Sequence, residues 1–243
     1  MPHFFIKSEN VNGNNILIND IENYKHIAKS LRAAIGESLL LIDENEIQYE
    51  TKILEISKNS INVEVIDSYK SERKLPFQLD LAQSPLRSDA QLVIMEKATE
   101  LGVNKVYPVY TDNCALKKNV IEAKIEKWQN TMYAASKQCE RANIPTCEKM
   151  TTLSDVINNG YDKVLALCER NTETSLKRFL TNNPIKAGER VLVIIGPEGG
   201  FSQAEFEFFK ENNIPQLSLG ELILKAETAV IVTLGDIVYE YNK

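Results

Sequence analysis

Two short stretches combine residue types whose order suits ligand chemistry. The first is Gly196-Pro197-Glu198-Gly199-Gly200-Phe201-Ser202, directly behind the apolar run Val191-Leu192-Val193-Ile194-Ile195. Ligands of open α/β sheets bind beyond the carboxyl ends of strands, so a glycine-rich turn at that address is placed to hold one. Glycine brings backbone close to a ligand and reaches dihedrals closed to other residues, and Pro197 fixes one φ angle. Ser202 and Glu205 have the S-x-x-E spacing of a capping box that starts a helix. The stretch is either a binding loop or a plain strand-to-helix reversal. A phosphate loop is disfavoured, because no GxxxxGK[ST] occurs and Glu198 would repel phosphate; the GxGxxG dinucleotide fingerprint is absent as well. The second stretch is Leu219-Gly220-Glu221-Leu222-Ile223-Leu224-Lys225-Ala226-Glu227-Thr228-Ala229. A glycine follows a short strand, and an apolar run leads into a helix whose first turn favours the carboxylate of Glu227 through the helix dipole.

The elements that must position these stretches follow from periodicity. Residues 1–70 read as short strands with one helix: Phe4-Phe5-Ile6, Ile16 to Ile18, a helix N-capped by Asp20 and running to about Ala34 with Ile27 and Leu31 on one face, then Leu39 to Ile42, Ile47 to Ile56 and Ile61 to Ile66. Ile61, Val63 and Val65 alternate with polar neighbours as a half-buried antiparallel strand should. This pattern predicts a small barrel-like domain. Ser68 to Pro76 is charged, ends in proline and reads as a linker. From residue 76 to 243 strands and helices alternate: Phe77–Ala82, a helix from Ser88 to Leu101, Lys105–Val109, a long helix from Ile121 to Cys139, Val164–Leu167, Val191–Ile195, a helix from Ser202 to Asn212, and a last helix from Ala226 to Tyr241 with Val230, Leu234, Ile237, Val238 and Tyr241 on one stripe. That alternation predicts an α/β domain with a parallel sheet, and the unbroken apolar run at 191–195 suits a central strand covered on both faces.

Composition sets the outer bounds. The 243 residues are 43% hydrophobic and 26% charged, ordinary values for a chain with a core to bury. MPHFFIKSEN has no cationic segment followed by an apolar run and a cleavage site, and no run of about 18 apolar residues occurs, so a cytoplasmic protein without a membrane span is expected. Cys114, Cys139, Cys147 and Cys168 form no CxxC pair and only His3 and His26 accompany them, so no metal is expected. The net charge of −6 speaks against a polyanionic partner until its distribution is considered. Val191 to Lys243 holds eight acidic against three basic residues, leaving 25 basic against 26 acidic elsewhere. Basic groups also cluster, at Lys25-His26-Lys29-Arg32, at Lys70-Arg73-Lys74 and at Lys117-Lys118-Lys124-Lys127. Each cluster is a solvated face or a nucleic-acid footprint.

Taken together, the two glycine stretches resemble the RsmE family of ribosomal RNA uridine-N3 methyltransferases, within the SPOUT superfamily. The family pattern is close to GPEGG-[FL]-S-x-x-E followed by LG-x-x-[IV]-L-R-x-E-T-A, and both stand here in order, with Lys225 where arginine is usual. The likeness extends over nearly the whole chain. His26, Leu31, Arg32 and Gly36 match an H-x4-LR-x3-G element, Lys97 with Glu100 to Val103 matches K-x-x-ELGV, and Gln138, Cys139, Arg141 and Pro145 match Q-[CS]-x-R-x-x-x-P.

The resemblance implies a PUA-like RNA-binding domain over residues 1–70 and a SPOUT methyltransferase domain over 76–243 with a C-terminal trefoil knot. It implies S-adenosylmethionine (SAM) as cofactor, bent among three loops: Leu167-Cys168-Glu169, Gly196-Pro197-Glu198-Gly199, and Leu219-Gly220 with Leu222, Ile223 and Leu224. A carboxylate beside a sulfonium cation is electrostatically compatible with that site. It further implies a homodimer acting on N3 of a uridine in small-subunit ribosomal RNA, free or in the assembled subunit, with RNA contacts at Lys25, His26, Arg32, Lys97 and Arg141. Uridine N3 bears a proton that must leave, so the developing anion needs stabilisation or the proton an acceptor. Arg141 and Lys225 are candidates for that electrostatic role or for clamping phosphates, and Glu227 is a candidate base. Three departures from the family pattern bear on RNA contact: Lys225 lacks arginine's planar fork, Asp112-Asn113-Cys114 lacks an arginine before the cysteine, and Ala90 and Gln91 stand where a basic residue is usual. A non-catalytic RNA-binding or assembly protein on the same fold, and a knotted methyltransferase with another RNA target, are the alternatives.

Overall fold

A computed structural model describes residues 3–241 apart from 171 and 173. The chain divides into two compact units, residues 1–74 with 136–143, and residues 75–135 with 144–243.

In the first unit β1 (His3–Phe5), β2 (Val11–Asn12), β3 (Asn15–Ile18), β4 (Ser38–Ile42), β5 (Ile47–Ile56) and β6 (Ile61–Lys70) form one sheet in the order β1-β4-β5-β6-β3-β2. Only β1 and β4 pair in parallel. Alternate residues build its core: Ile16 and Ile18, Leu39 and Leu41, Ile61 and Val63 are all buried, with Phe4, Ile27 and Ile53. The helix expected up to Ala34 is shorter. Asp20 caps α1 (Ile21–Tyr24) by accepting from the Asn23 amide, and the chain then widens into a π-turn over Lys25–Ser30. The amide of Leu31 reaches back five residues to His26, and Arg32 follows with φ of 53°, a left-handed conformation that ends the helix four residues before Gly36. Leu31 therefore stands outside the helix and exposed, while Ile27 stays buried. Lys137 pairs with Glu22 at 2.8 Å and Arg73 with Glu140, tying residues 136–143 into this unit.

The second unit is a seven-stranded parallel sheet. Its strands are β7 (Gln78–Gln83), β8 (Lys105–Pro108), β9 (Thr146–Cys147), β10 (Lys163–Leu167), β11 (Thr174–Ser175), β12 (Arg190–Ile195) and β13 (Gln216–Ser218), in the order β11-β13-β10-β12-β7-β8-β9. Its helices are α2 (Ser88–Glu100), α3 (Lys118–Glu122), α4 (Ile125–Gln138), α5 (Leu153–Ile157), α6 (Leu176–Asn182), α7 (Gln203–Glu211) and α8 (Ala226–Tyr241). The long helix expected from Ile121 is two helices, α3 and α4, broken at 123–124. The apolar run in β12 splits by parity. Val191, Val193 and Ile195 join a core with Ile94, Trp128 and Leu234, so α2, α4 and α8 cover that face. Leu192 and Ile194 join a second core with Val156 and Phe209, from α5 and α7. Burial of both faces is why the strand shows no polar alternation.

A carboxylate lies deep inside this unit. Asp80 on β7 is fully buried and accepts from Tyr161 Oη at 2.7 Å, from Gln78 Nε2 at 3.0 Å and from the Lys105 amide at 3.1 Å. Burial raises its pKa above the ordinary value, and these donors only partly offset the rise. A carboxyl whose folded pKa is raised costs stability as pH climbs from the unfolded through the folded pKa. Tyr161→Phe is expected to cost about 1–3 kcal/mol where Asp80 is ionised, and less as acid protonates it. Urea unfolding at neutral and acidic pH checks this; an equal loss at both would remove the charge from the explanation.

Candidate functional site

Three neighbouring strands end together. Leu167 at the end of β10 is level with Ile195 at the end of β12 and with Leu217 in β13. The chain reversals after 167, 195 and 218 therefore leave the same edge of the sheet. Between them lies a cavity of about 510 Å³, a volume suited to a small-molecule cofactor. Leu167 and Ile195 give it apolar floor, and Gly196 to Glu198 with Gly200 one wall. Gly220, Leu222 to Lys225 and the first turn of α8 give another wall, and Ala90 from α2 closes the lining. Leu222 and Ile223, adjacent in this wall, are 82% and 65% exposed.

The glycine turn is held from behind. The Gly200 amide donates to Pro197 O at 2.9 Å, closing a tight turn with Gly200 at φ of 69°. A β-carbon on Gly200 would lie 2.7 Å from Glu169 Oε1, and one on Gly196 would lie 3.2 Å from the Phe201 ring. Asn113 Nδ2 donates to the carbonyls of Gly199 and Gly200 at 3.4 and 3.1 Å. Ser202 and Glu205 close the expected capping box, and their partners reach further: Ser202 Oγ donates to Asp112 Oδ2 at 2.5 Å, and the Asp112 amide to Glu205 Oε1 at 3.1 Å. Ser202→Ala is expected to cost about 1–2 kcal/mol, read as a lower urea midpoint with unchanged slope; an unmoved midpoint would show the cap to be dispensable.

The electrostatics of the cavity are acidic. Glu169, Glu198 and Glu227 all line it, favouring a cation inside and opposing a free polyphosphate. Glu198 is fixed by the Arg87 amide, which donates to its Oε1 at 3.3 Å. Cys168 also lines the cavity, but burial, reinforced by the Glu169 charge, pushes its thiol up to about 12. It is a neutral, unreactive wall at physiological pH.

Of the residues singled out in the sequence, Leu167, Cys168, Glu169, Gly196, Pro197, Glu198, Leu219, Gly220, Leu222, Ile223, Leu224, Lys225 and Glu227 meet at this one cavity. Gly199 does not line it; its missing β-carbon faces Asn113 at 3.2 Å. Arg141 is not in the lining either. It belongs to the segment that groups with the first unit, donates from Nη2 to Asn143 Oδ1 at 3.0 Å, and has its pKa lowered to about 10 by burial, so it stays charged. Lys97 is held by Glu96 at 2.7 Å and Glu100 at 2.8 Å. Lys25, His26 and Arg32 lie on or just past the π-turn of the first unit, with the His26 ring edge-on to Phe4. Asn113, Asp112 and Arg87 were not legible as site residues, because each acts on the glycine turn from more than 85 positions away in sequence.

A family model described as an RNA methyltransferase domain matches residues 73–238, most of the chain. The chain belongs to the RNA methyltransferase family. A second model, an RNA methyltransferase PUA domain, matches residues 18–66 of this methyltransferase. Its relatives include the ribosomal RNA small subunit methyltransferase E of Rickettsia conorii, 28% identical over 221 residues covering 89% of this chain and 86% of that one. A solved Legionella pneumophila chain, described as a methyltransferase in complex with SAM, is 26% identical with a TM-score of 0.85, covering 98% and 97% of the two chains. The ribosomal RNA small subunit methyltransferase E of Neisseria gonorrhoeae, solved bound to SAM, shares the fold at 20% identity and a TM-score of 0.85, over 99% and 98%. The cavity of this methyltransferase thus sits in a fold shared with SAM-bound chains.

Proposed function

We propose that this protein transfers a methyl group from SAM to N3 of a uridine in small-subunit ribosomal RNA, in the cytoplasm, as a homodimer. Residues 76–243 carry the reaction, with their C-terminal part knotted as a trefoil, and residues 1–70 bind RNA. The observation that carries this reading is the convergence of three chain reversals on one acidic, glycine-walled cavity at the ends of β10, β12 and β13. The lining fits the cofactor: apolar floor for an adenine ring, carboxylates for a sulfonium and an ammonium, and glycines whose β-carbons would intrude on the wall.

When bound, SAM supplies a methyl group made electrophilic by its sulfonium. The chain supplies position and charge, which displacement at a bound centre most needs. Leu222, Ile223 and Leu224 exclude water on the exposed side. Lys225 holds a positive charge at the cavity wall, where it stabilises the uridine anion that forms as the N3 proton leaves. Glu227, in the first turn of α8, is the carboxylate that takes that proton. Arg141, Lys25, His26 and Arg32 serve RNA positioning. Lys97, already shared between two carboxylates, contributes least to it.

Labelled methyl transfer to small-subunit RNA, followed by mapping of N3-methyluridine in a deletion strain with and without complementation, tests the reading. One N3-methyluridine lost on deletion and restored by the gene is expected; an unchanged modification map would overturn it.

A further inference from the structure

An acidic cavity is a poor place to bring an RNA strand, because each phosphate near its mouth meets Glu169, Glu198 and Glu227. Cations at the rim must offset them. Lys225 is one. The first turn of α2 contributes only Ala90 to the lining, which carries no charge.

Arg87 lies three residues before Ala90, at the N-cap of α2 with φ and ψ of −75° and 143°. Its backbone and side chain are differently engaged. The amide donates to Glu198 Oε1 at 3.3 Å, fixing the main chain to the glycine turn. The residue is exposed, and its guanidinium meets no carboxylate at ion-pair distance among the described residues. Lys97, further along the same helix, is by contrast fully engaged by Glu96 and Glu100. A long cation on an anchored backbone keeps its reach while its attachment point is fixed, so little backbone entropy is lost when it binds. The first turns of α2 and α8 line the same cavity, so the positive ends of both helices add to the field of Arg87 and Lys225.

Resting on the methyltransferase reading above, we infer that Arg87 is a substrate-positioning residue: its guanidinium grips an RNA phosphate beside the target nucleotide, offsetting the carboxylates of the cavity. Its amide meanwhile holds the cofactor turn, so the two tasks separate on mutation. A side-chain change leaves the amide in place and touches only the RNA.

The test uses the full-length protein and a fluorescein-labelled fragment of small-subunit ribosomal RNA. Anisotropy gives the RNA Kd across a salt series, and calorimetry gives the SAM Kd. Arg87→Ala is expected to weaken RNA about tenfold at moderate salt and to reduce the slope of log Kd against log salt by about one, the release of one counterion fewer. Arg87→Lys should restore the slope, since a phosphate contact needs charge more than shape, and neither variant should move the SAM Kd by more than about twofold. An unchanged slope in Arg87→Ala, or a SAM Kd that worsens in step with the RNA Kd, overturns the assignment. Methyl transfer by the wild-type protein is followed in parallel. If it is absent, the enzymatic reading falls, while the salt slope still decides whether Arg87 holds a phosphate.

Discussion

Gly200→Val is expected to lower SAM affinity about 100-fold while the protein stays folded. Gly200 has φ of 69°, where an L-residue costs about 1–2 kcal/mol and a β-branched one more. Its β-carbon would also stand 2.7 Å from Glu169 Oε1. That carboxylate is the flexible end of a side chain, so the clash is relieved by displacing Glu169 from the cavity wall rather than by unfolding. Affinity is therefore lost twice, through a deformed turn and through a moved charge. Gly188 provides the control. It has φ of 82°, and nothing lies within 4 Å of a built β-carbon. Gly188→Val shares the left-handed strain without touching the cavity. Both variants should melt at lower temperature, and only Gly200→Val should lose SAM affinity in calorimetry. Equal affinities would mean that the turn does not shape the cofactor site.

The second large effect belongs to Lys225. Lys225 is part of the cavity wall just before the first turn of α8, and among the described residues its ammonium makes no ion pair with a carboxylate. A charge placed for an anion that exists only as the proton leaves should act on the rate more than on cofactor binding. Lys225→Ala is expected to lower kcat about 100-fold, equivalent to about 2.7 kcal/mol, with SAM Kd nearly unchanged. Lys225→Arg should retain most of the activity, because charge is kept and the planar fork adds donors. Single-turnover methyl transfer at saturating RNA separates the cases. A loss confined to KM for RNA would make Lys225 a phosphate clamp instead.

A net charge of −6 does not by itself oppose RNA contact at the proposed Arg87 and Lys225 positions. What an RNA strand meets is the local field at the rim, and charge elsewhere on the surface is screened within about 10 Å at ordinary salt. Part of the apparent basic surface is already spent on the protein itself: Arg73 on Glu140, Lys74 on Glu46, Lys97 on two glutamates.

Long apolar patterns and local motifs could be read directly from the residues. β12 and α8 stood out because each is a dense run of apolar residues with a clear start, and the box at Ser202 and Glu205 formed as its spacing required. Short elements escaped. β9, α5 and α6 have two, five and seven residues, too few for a period to emerge, and they are held by packing such as that of Val156, Leu176 and Leu180. The π-turn at Lys25–Ser30 followed from no pattern, since the same residues satisfy an ordinary helix period.

The sequence by itself determined the strand-and-helix alternation and the glycine turn, because these depend on neighbours a few positions apart, whereas the loops expected around a cofactor followed only from the family resemblance. Tertiary structure brought the ends of β10, β12 and β13 level, so that the three loops implied by the family resemblance share one cavity, and it alone decided that Asn113 and Asp112 brace the glycine turn and that, among the described residues, Arg87 makes no ion pair while Lys97 makes two. Those relations depend on the lateral order of parallel strands and on side chains meeting across 85 or more positions, and hydrophobic periodicity carries no record of either.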